Sequence, residues 1–176
     1  AISCYKEAAK QGDSKALLYL GIRQTEEKNS HESMCWLCQL ALNTIFYFEK
    51  YDELELSAEE DEKAIASLHH KAEQGFFVAQ TVLANLYQTG NGIPQDQQQA
   101  LFWFTKAAQQ QDIVAQYWLG QIYFEQLDFE TAQIYFQAVC QNFHEGDYDE
   151  LDITKIQLLA KDKLKQALRT DNSYIR

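Results

Sequence analysis

Residues 72–87, AEQGFFVAQTVLANLY, and residues 108–123, AQQQDIVAQYWLGQIY, align at an offset of 36. Ala72 falls on Ala108, Ala79 on Ala115, Gln80 on Gln116, Leu83 on Leu119, Ala84 on Gly120 and Tyr87 on Tyr123. Upstream, Ala64 falls on Ala100 and Leu68 on Phe104. Small residues recur on small and large on large, as two close-packed helices per repeat require, since a ridge on one helix needs a groove on the other. Working outward, AAKQGDSKALLYLG (8–21) matches at an offset of 63, with Ala9 on Ala72, Gly12 on Gly75, Ala16 on Ala79, Leu20 on Leu83 and Gly21 on Ala84. That offset exceeds one period by 27 residues, placed between about Gln24 and Ala58. Within the excess, Met34, Leu37, Cys38, Ala41, Leu42, Ile45 and Phe46 recur at helical spacing, which predicts one helix added to the regular pairing. Downstream the unit is compressed: Ala100 matches Ala132 and Phe104 matches Phe136 at an offset of 32, and the loop TGNGIPQD (89–96) shrinks to QLD (126–128).

The pattern predicts helices over 2–11, 13–25, 33–50, 59–73, 76–89, 96–110, 113–127 and 129–143. A ninth, amphipathic helix over 153–169 is expected to cap the array. Asp96 and Asp112 stand where a side-chain oxygen can accept from the first free N–H groups of a helix. The fold class is all-α, built from helix pairs. The 176 residues are read as a single repeat domain, 1–176, with units at about 8–58 (including the added helix), 59–95, 96–128 and 129–176 (including the capping helix).

Composition narrows the function. The formal net charge is −11 and the pI about 4.7, the wrong sign for a nucleic-acid binder or for a protein resting on anionic lipid. A hydrophobic fraction of 46% is too high for a disordered chain. No run of about 18 apolar residues is present, so no helical membrane span is expected. One proline and seven glycines leave little punctuation for a many-turned sheet protein. The only basic segment is 153–169, with Lys155, Lys161, Lys163, Lys165 and Arg169 against Asp162. The chain starts at Ala1 with no basic, apolar leader, and a removed leader would leave no trace. The compartment stays open between cytoplasmic and periplasmic or secreted, as does the oligomeric state.

The stretch 79–123 resembles Sel1-like repeats, relatives of the tetratricopeptide repeat. The resemblance is carried by Ala79, Leu83, Tyr87, Gly90, Gly92, Ile93, Asp96, Ala100, Trp103, Phe104, Lys106, Ala107 and Ala108. The following unit, 117–139, is similar to a plain tetratricopeptide repeat. The chain departs from the pattern at Ala84, where glycine is usual, and at Ser67 and Leu68, which replace an aromatic pair; 24–58 matches nothing in it. The resemblance implies a right-handed α/α superhelix, or solenoid, of antiparallel helix pairs whose first helices line a concave face. It implies a binding module or adaptor, often bacterial, with protein partners.

Chemistry-bearing residues point away from catalysis. Cys35-Trp36-Leu37-Cys38 has redox spacing but sits in an apolar helical pattern without a preceding strand, so both cysteines are expected to be reduced packing residues. The adjacent His69 and His70 face different sides of a helix and cannot share a ligand face. His31 and His144 fall at helix ends. Carboxylates cluster at 49–62, with a net charge of −7, and at 144–154 without a basic partner. Both blocks are read as solvated surface. DYDELD (147–152) lacks the glycine and closing glutamate of a calcium loop. No phosphate-binding glycine loop, nucleophile elbow or His-Glu-x-x-His motif is present. No catalytic residue, cofactor or metal is expected.

With Ala84 and Gly120 as the buried small positions, the tetratricopeptide geometry turns Thr81, Asn85 and Gln88 toward the concavity in one repeat and Tyr117, Gln121 and Phe124 in the next. The front copy contributes Leu18, Ile22 and Thr25, of which Leu18 and Ile22 also read as core. Amides can bond a peptide backbone without reading its charge, and aromatic rings supply contact area at low entropic cost. Tyr87, Tyr123, Phe104 and Phe136 are assigned to the core between helices. The expected function is a non-catalytic protein- or peptide-binding module acting as adaptor or scaffold, with a protein or peptide partner of basic character and no nucleic acid. The alternatives are a purely structural segment of a larger repeat protein and a hydrolase using the carboxylates or cysteines.

Overall fold

The computed structural model describes residues 2–23, 30–46, 58–141 and 150–174. Among them are nine α-helices and no strand: α1 (Ile2–Lys10), α2 (Ser14–Arg23), α3 (Ser30–Phe46), α4 (Ala58–Glu73), α5 (Phe77–Thr89), α6 (Gln97–Gln109), α7 (Ile113–Glu125), α8 (Phe129–Gln141) and α9 (Glu150–Tyr174). The described chain falls into two compact units, Ala1–Trp103 and Phe104–Arg176, divided within α6.

The 36-residue period extends into the turns. After α4 the Gly75 N–H donates to the Ala72 carbonyl and the Phe76 N–H to that of Lys71; after α6 the Gln111 N–H donates to Ala108 and the Asp112 N–H to Ala107. The turn after α1 repeats the pattern, with Gly12 on Ala9 and Asp13 on Ala8. Such a closure needs a left-handed residue after the helix, because only that conformation swings the next two N–H groups back onto the last carbonyls. Gly12 (φ 85°) and Gly75 (φ 93°) supply it without a side chain, whereas Gln111 (φ 66°) adopts it against the preference of an L-residue.

Four of the helices, α2, α6, α7 and α8, are started by a carboxylate, whereas α5 follows Phe76 with no side-chain cap. Asp96 accepts from the N–H groups of Gln98 and Gln99, and Asp112 from that of Ala115, as the sequence predicts. Asp13 and Asp128 do the same for Ala16 and Thr131. In each case the oxygen satisfies donors that the first helical turn cannot.

In the first unit α2 packs on α1, α3 and α4, and α5 packs on α3 and α4. The helix added by the sequence excess is α3, and its face is buried: Leu37, Cys38, Ala41 and Leu42 are all inside. Its seat on α2 is set by Gly21, where a Cβ would lie 2.6 Å from Leu37 Cδ2. In the second unit α7, α8 and α9 pack mutually, and a Cβ on Gly120 would lie 2.7 Å from Phe136 Cε1. Both glycines meet a large residue sixteen positions on, so α3 lies against α2 as α8 lies against α7. The added helix therefore takes the place of a second helix in its pair rather than standing outside the pairing.

The cores follow the repeat register. Leu17, Leu20, Leu37, Leu68, Val78 and Leu83 are fully buried in the first unit, and Phe104, Ile113, Leu119, Phe136 and Ile156 in the second. Phe104 stacks on Trp118 with ring centroids 6.3 Å apart. Tyr87 and Tyr123 are half-buried rather than core: Tyr87 hydroxyl meets His69 Nε2 at 3.2 Å, and Tyr123 stacks on Tyr135 at 5.7 Å. The capping helix α9 is longer than its amphipathic 153–169 stretch, running from Glu150 to Tyr174, and buries Ile156, Ala160 and Ala167.

Candidate functional site

The six residues assigned to a partner-binding face lie on α5 and α7, three in each unit. On α5 every residue from Val78 to Leu86 is buried, the polar Gln80, Thr81 and Asn85 among them. Thr81 is 1% exposed and Asn85 5%, while Gln88, at the last turn, is half-buried. α7 is buried from Ile113 to Gly120 in the same way, leaving Tyr117 8% exposed and Gln121 and Phe124 half-buried. Surface on these helices comes from their C-terminal turns, through Gln88, Gln121 and Phe124. In the front copy Leu18 and Ile22 are buried, and Thr25 lies outside the described residues.

The amides carry unmet hydrogen-bonding capacity. Asn85 Nδ2 and Gln88 Oε1, one turn apart on α5, are buried without a partner. The first is a donor and the second an acceptor. On α7, Gln121 stands at the position equivalent to Asn85. Its Nε2 donates to Glu125 Oε1 at 2.8 Å, and its Oε1 is buried without a partner. A buried polar atom left unpaired costs roughly 1–3 kcal/mol. The pair Gln80 and Gln116 is buried too, but Gln80 Nε2 donates to the Ala72 carbonyl at 2.9 Å.

The aromatics of α7 are fixed by neighbours. Tyr117 packs edge-on against Trp118 and tilted against Phe136. Burial pushes its hydroxyl above the ordinary tyrosine range, so it stays a neutral donor and acceptor at physiological pH. Phe124 meets Phe129 edge-on at 5.4 Å, and the Lys163 ammonium of α9 lies 5.5 Å from its ring centroid. That cation over the ring was not read from the sequence. Its signal is a lysine in the basic 153–169 stretch.

The other candidates divide. Cys38 is buried and Cys35 exposed, neither in a disulfide, so only Cys38 packs as expected for the pair. His69 turns inward onto Tyr87, and His70 turns outward with Nε2 2.9 Å from Gln74 Nε2. The side chain of His31, residue His144 and most of both acidic blocks lie outside the described residues. Among the described residues, no group of three or more His, Cys, Asp or Glu side chains is placed to hold a metal ion. Among them, too, no helix is long and apolar enough to cross a membrane.

The Sel1 repeat model matches residues 1–13, 78–112 and 113–140. These three segments carry Sel1-like repeats. They include all of α1, α6 and α7 and all but one residue each of α5 and α8. No curated protein matches it. Among solved structures it is similar to a protective antigen of uropathogenic Escherichia coli displaying an SLR fold, at 27% identity and a TM-score of 0.49, over 99% of this chain and 40% of that one. It is also similar to a Sel1 repeat protein from Oxalobacter formigenes, at 25% identity and a TM-score of 0.37, over 78% of this chain and 46% of that one. The Sel1-like chain thus spans less than half the length of either relative.

Proposed function

We propose that this chain is a non-catalytic module that binds an extended polypeptide, acting as an adaptor or scaffold. The observation that carries the reading is the unpartnered donor of Asn85 and acceptor of Gln88, one turn apart on α5. An extended peptide backbone offers a carbonyl and an N–H to such a pair, and small side-chain rotations bring the two amides to it. Both atoms are costly as they stand, and a bound backbone removes that cost. On α7, within its own unit, the Gln121 acceptor and the Phe124 ring offer contacts of the same kind, the ring supplying area and the amide a bond.

The reading includes a basic partner, since the chain's net charge is −11 and its acidic blocks at 49–62 and 144–154 attract cations from a distance. Their effect falls on association rate and fades with salt.

The test is selection of peptides from a random display library on the immobilised 176-residue chain, followed by calorimetry. Gln88→Ala and Phe124→Ala each weaken the selected peptides about fivefold to thirtyfold, the size of a 1–2 kcal/mol contact. Peptides that bind both variants as tightly as the parent chain place the site elsewhere.

A further inference from the structure

A second feature of the first unit lies outside the α5 face. One stripe of α4, with Glu62, Ile65, His69 and Glu73 at helical spacing, faces the Gly92–Ile93 turn of the loop between α5 and α6 across an open cleft of about 550 Å³. Ile65 and Ile93 form an apolar floor. Glu62 and Glu73 stand exposed at the two ends, and neither has an ion-pair partner among the described residues. The wall between them is held still: His69 is bonded to Tyr87 and meets the Trp103 indole edge-on at 6.4 Å. Trp103 is 9% exposed, and its Nε1 is a buried donor without a partner.

We propose that this cleft binds a short, extended basic peptide segment, with one apolar side chain on the isoleucine floor and a cation at each end. Spacing sets the register. Glu73 lies eleven positions after Glu62 on α4, a rise of about 16 Å. An extended chain covers that length in about five residues. One cation cannot reach both carboxylates, so two are required, roughly five positions apart. Charge sets the class: Glu62 closes the 49–62 stretch with its net charge of −7, and no lysine or arginine lines the cleft. The site is separate from the α5 face and does not rest on the reading given for it.

The test uses a fluorescein-labelled nine-residue peptide with lysines five positions apart and a leucine between them, followed by anisotropy at low salt. The full 176-residue chain binds it. Glu62→Gln and Glu73→Gln each weaken it about threefold to tenfold, and the double variant more. Ile93→Ser weakens it without altering its salt dependence. All substitutions lie at exposed or half-buried positions, and an unchanged helical circular-dichroism spectrum confirms that the variants are folded. Because Glu62 and Glu73 lie on α4, their effect on the probe separates this cleft from the α5 amides. The proposal is overturned if the parent chain does not bind the probe. It is also overturned if the double variant binds as the parent does, or if a peptide with adjacent lysines binds equally well.

Discussion

Gln111 occupies a left-handed turn position that glycine holds in the two equivalent turns, at Gly12 and Gly75. A non-glycine residue there costs about 1–2 kcal/mol, part of which is returned by its smaller entropy loss on folding. Gln111→Gly is therefore expected to raise stability by about 0.5–1 kcal/mol in urea unfolding, and a loss of stability would show that the Gln111 side chain contributes more than the strain it carries. The tight glycine contacts act in the opposite direction. A methyl group at Gly120 meets the ring of Phe136, which is fully buried and has no room to withdraw. Gly120→Ala should cost about 1–3 kcal/mol by overpacking, measured in the same unfolding experiment. Helix starts add a pH dependence. Hydrogen bonds from Thr131 hold the Asp128 carboxyl below its ordinary range. A group whose pKa is depressed by folding contributes stability that is fully present above the unfolded pKa and is lost as pH falls through the folded value. Stability should decline on acidification below the ordinary aspartate range, and Asp128→Asn should remove that component of the decline; an identical acid profile in the variant would remove Asp128 from the explanation.

The helices themselves were legible in the sequence because their apolar positions recur at 36 and their ends carry aspartate and glycine, signals that act within a few residues. The role of α3 was only half legible. Its apolar spacing predicts a helix, but its partnership with α2 rests on the sixteen-residue relation of Gly21 to Leu37, repeated by Gly120 and Phe136, which becomes meaningful only once both contacts are seen. The site was legible in register and not in depth. Position along α5 and α7 follows from the repeat, but burial of Thr81, Asn85 and Tyr117 depends on neighbours packed around the entire helix, and a pattern read along one helix does not contain them. The cysteines show the same limit: the three-residue spacing puts Cys35 and Cys38 on one side of α3, yet one is exposed and the other buried. Maleimide labelling of the native chain should modify Cys4 and Cys35 readily and Cys38 only after unfolding. Equal labelling of Cys35 and Cys38 would contradict the docking of α3.

For the whole molecule, the two units carry the same arrangement in one repeat register: a first helix buried for most of its length, with amide atoms left unpaired near its end. On the proposed reading, stability and binding are opposed at those amides, as happens where a protein retains a costly group for a ligand. Asn85→Leu removes a buried, unpaired donor and keeps the approximate volume, so the folded chain should be as stable as the parent or about 1 kcal/mol more stable. The same substitution removes the donor offered to a peptide carbonyl. The measurement that bears most directly on this opposition is the dissociation constant of a library-selected peptide for Asn85→Leu, taken with the urea midpoint of the same sample. A peptide weakened about tenfold on a chain of equal or greater stability is the expected result. Unchanged affinity on that stable chain would contradict a peptide-binding role for the α5 amides.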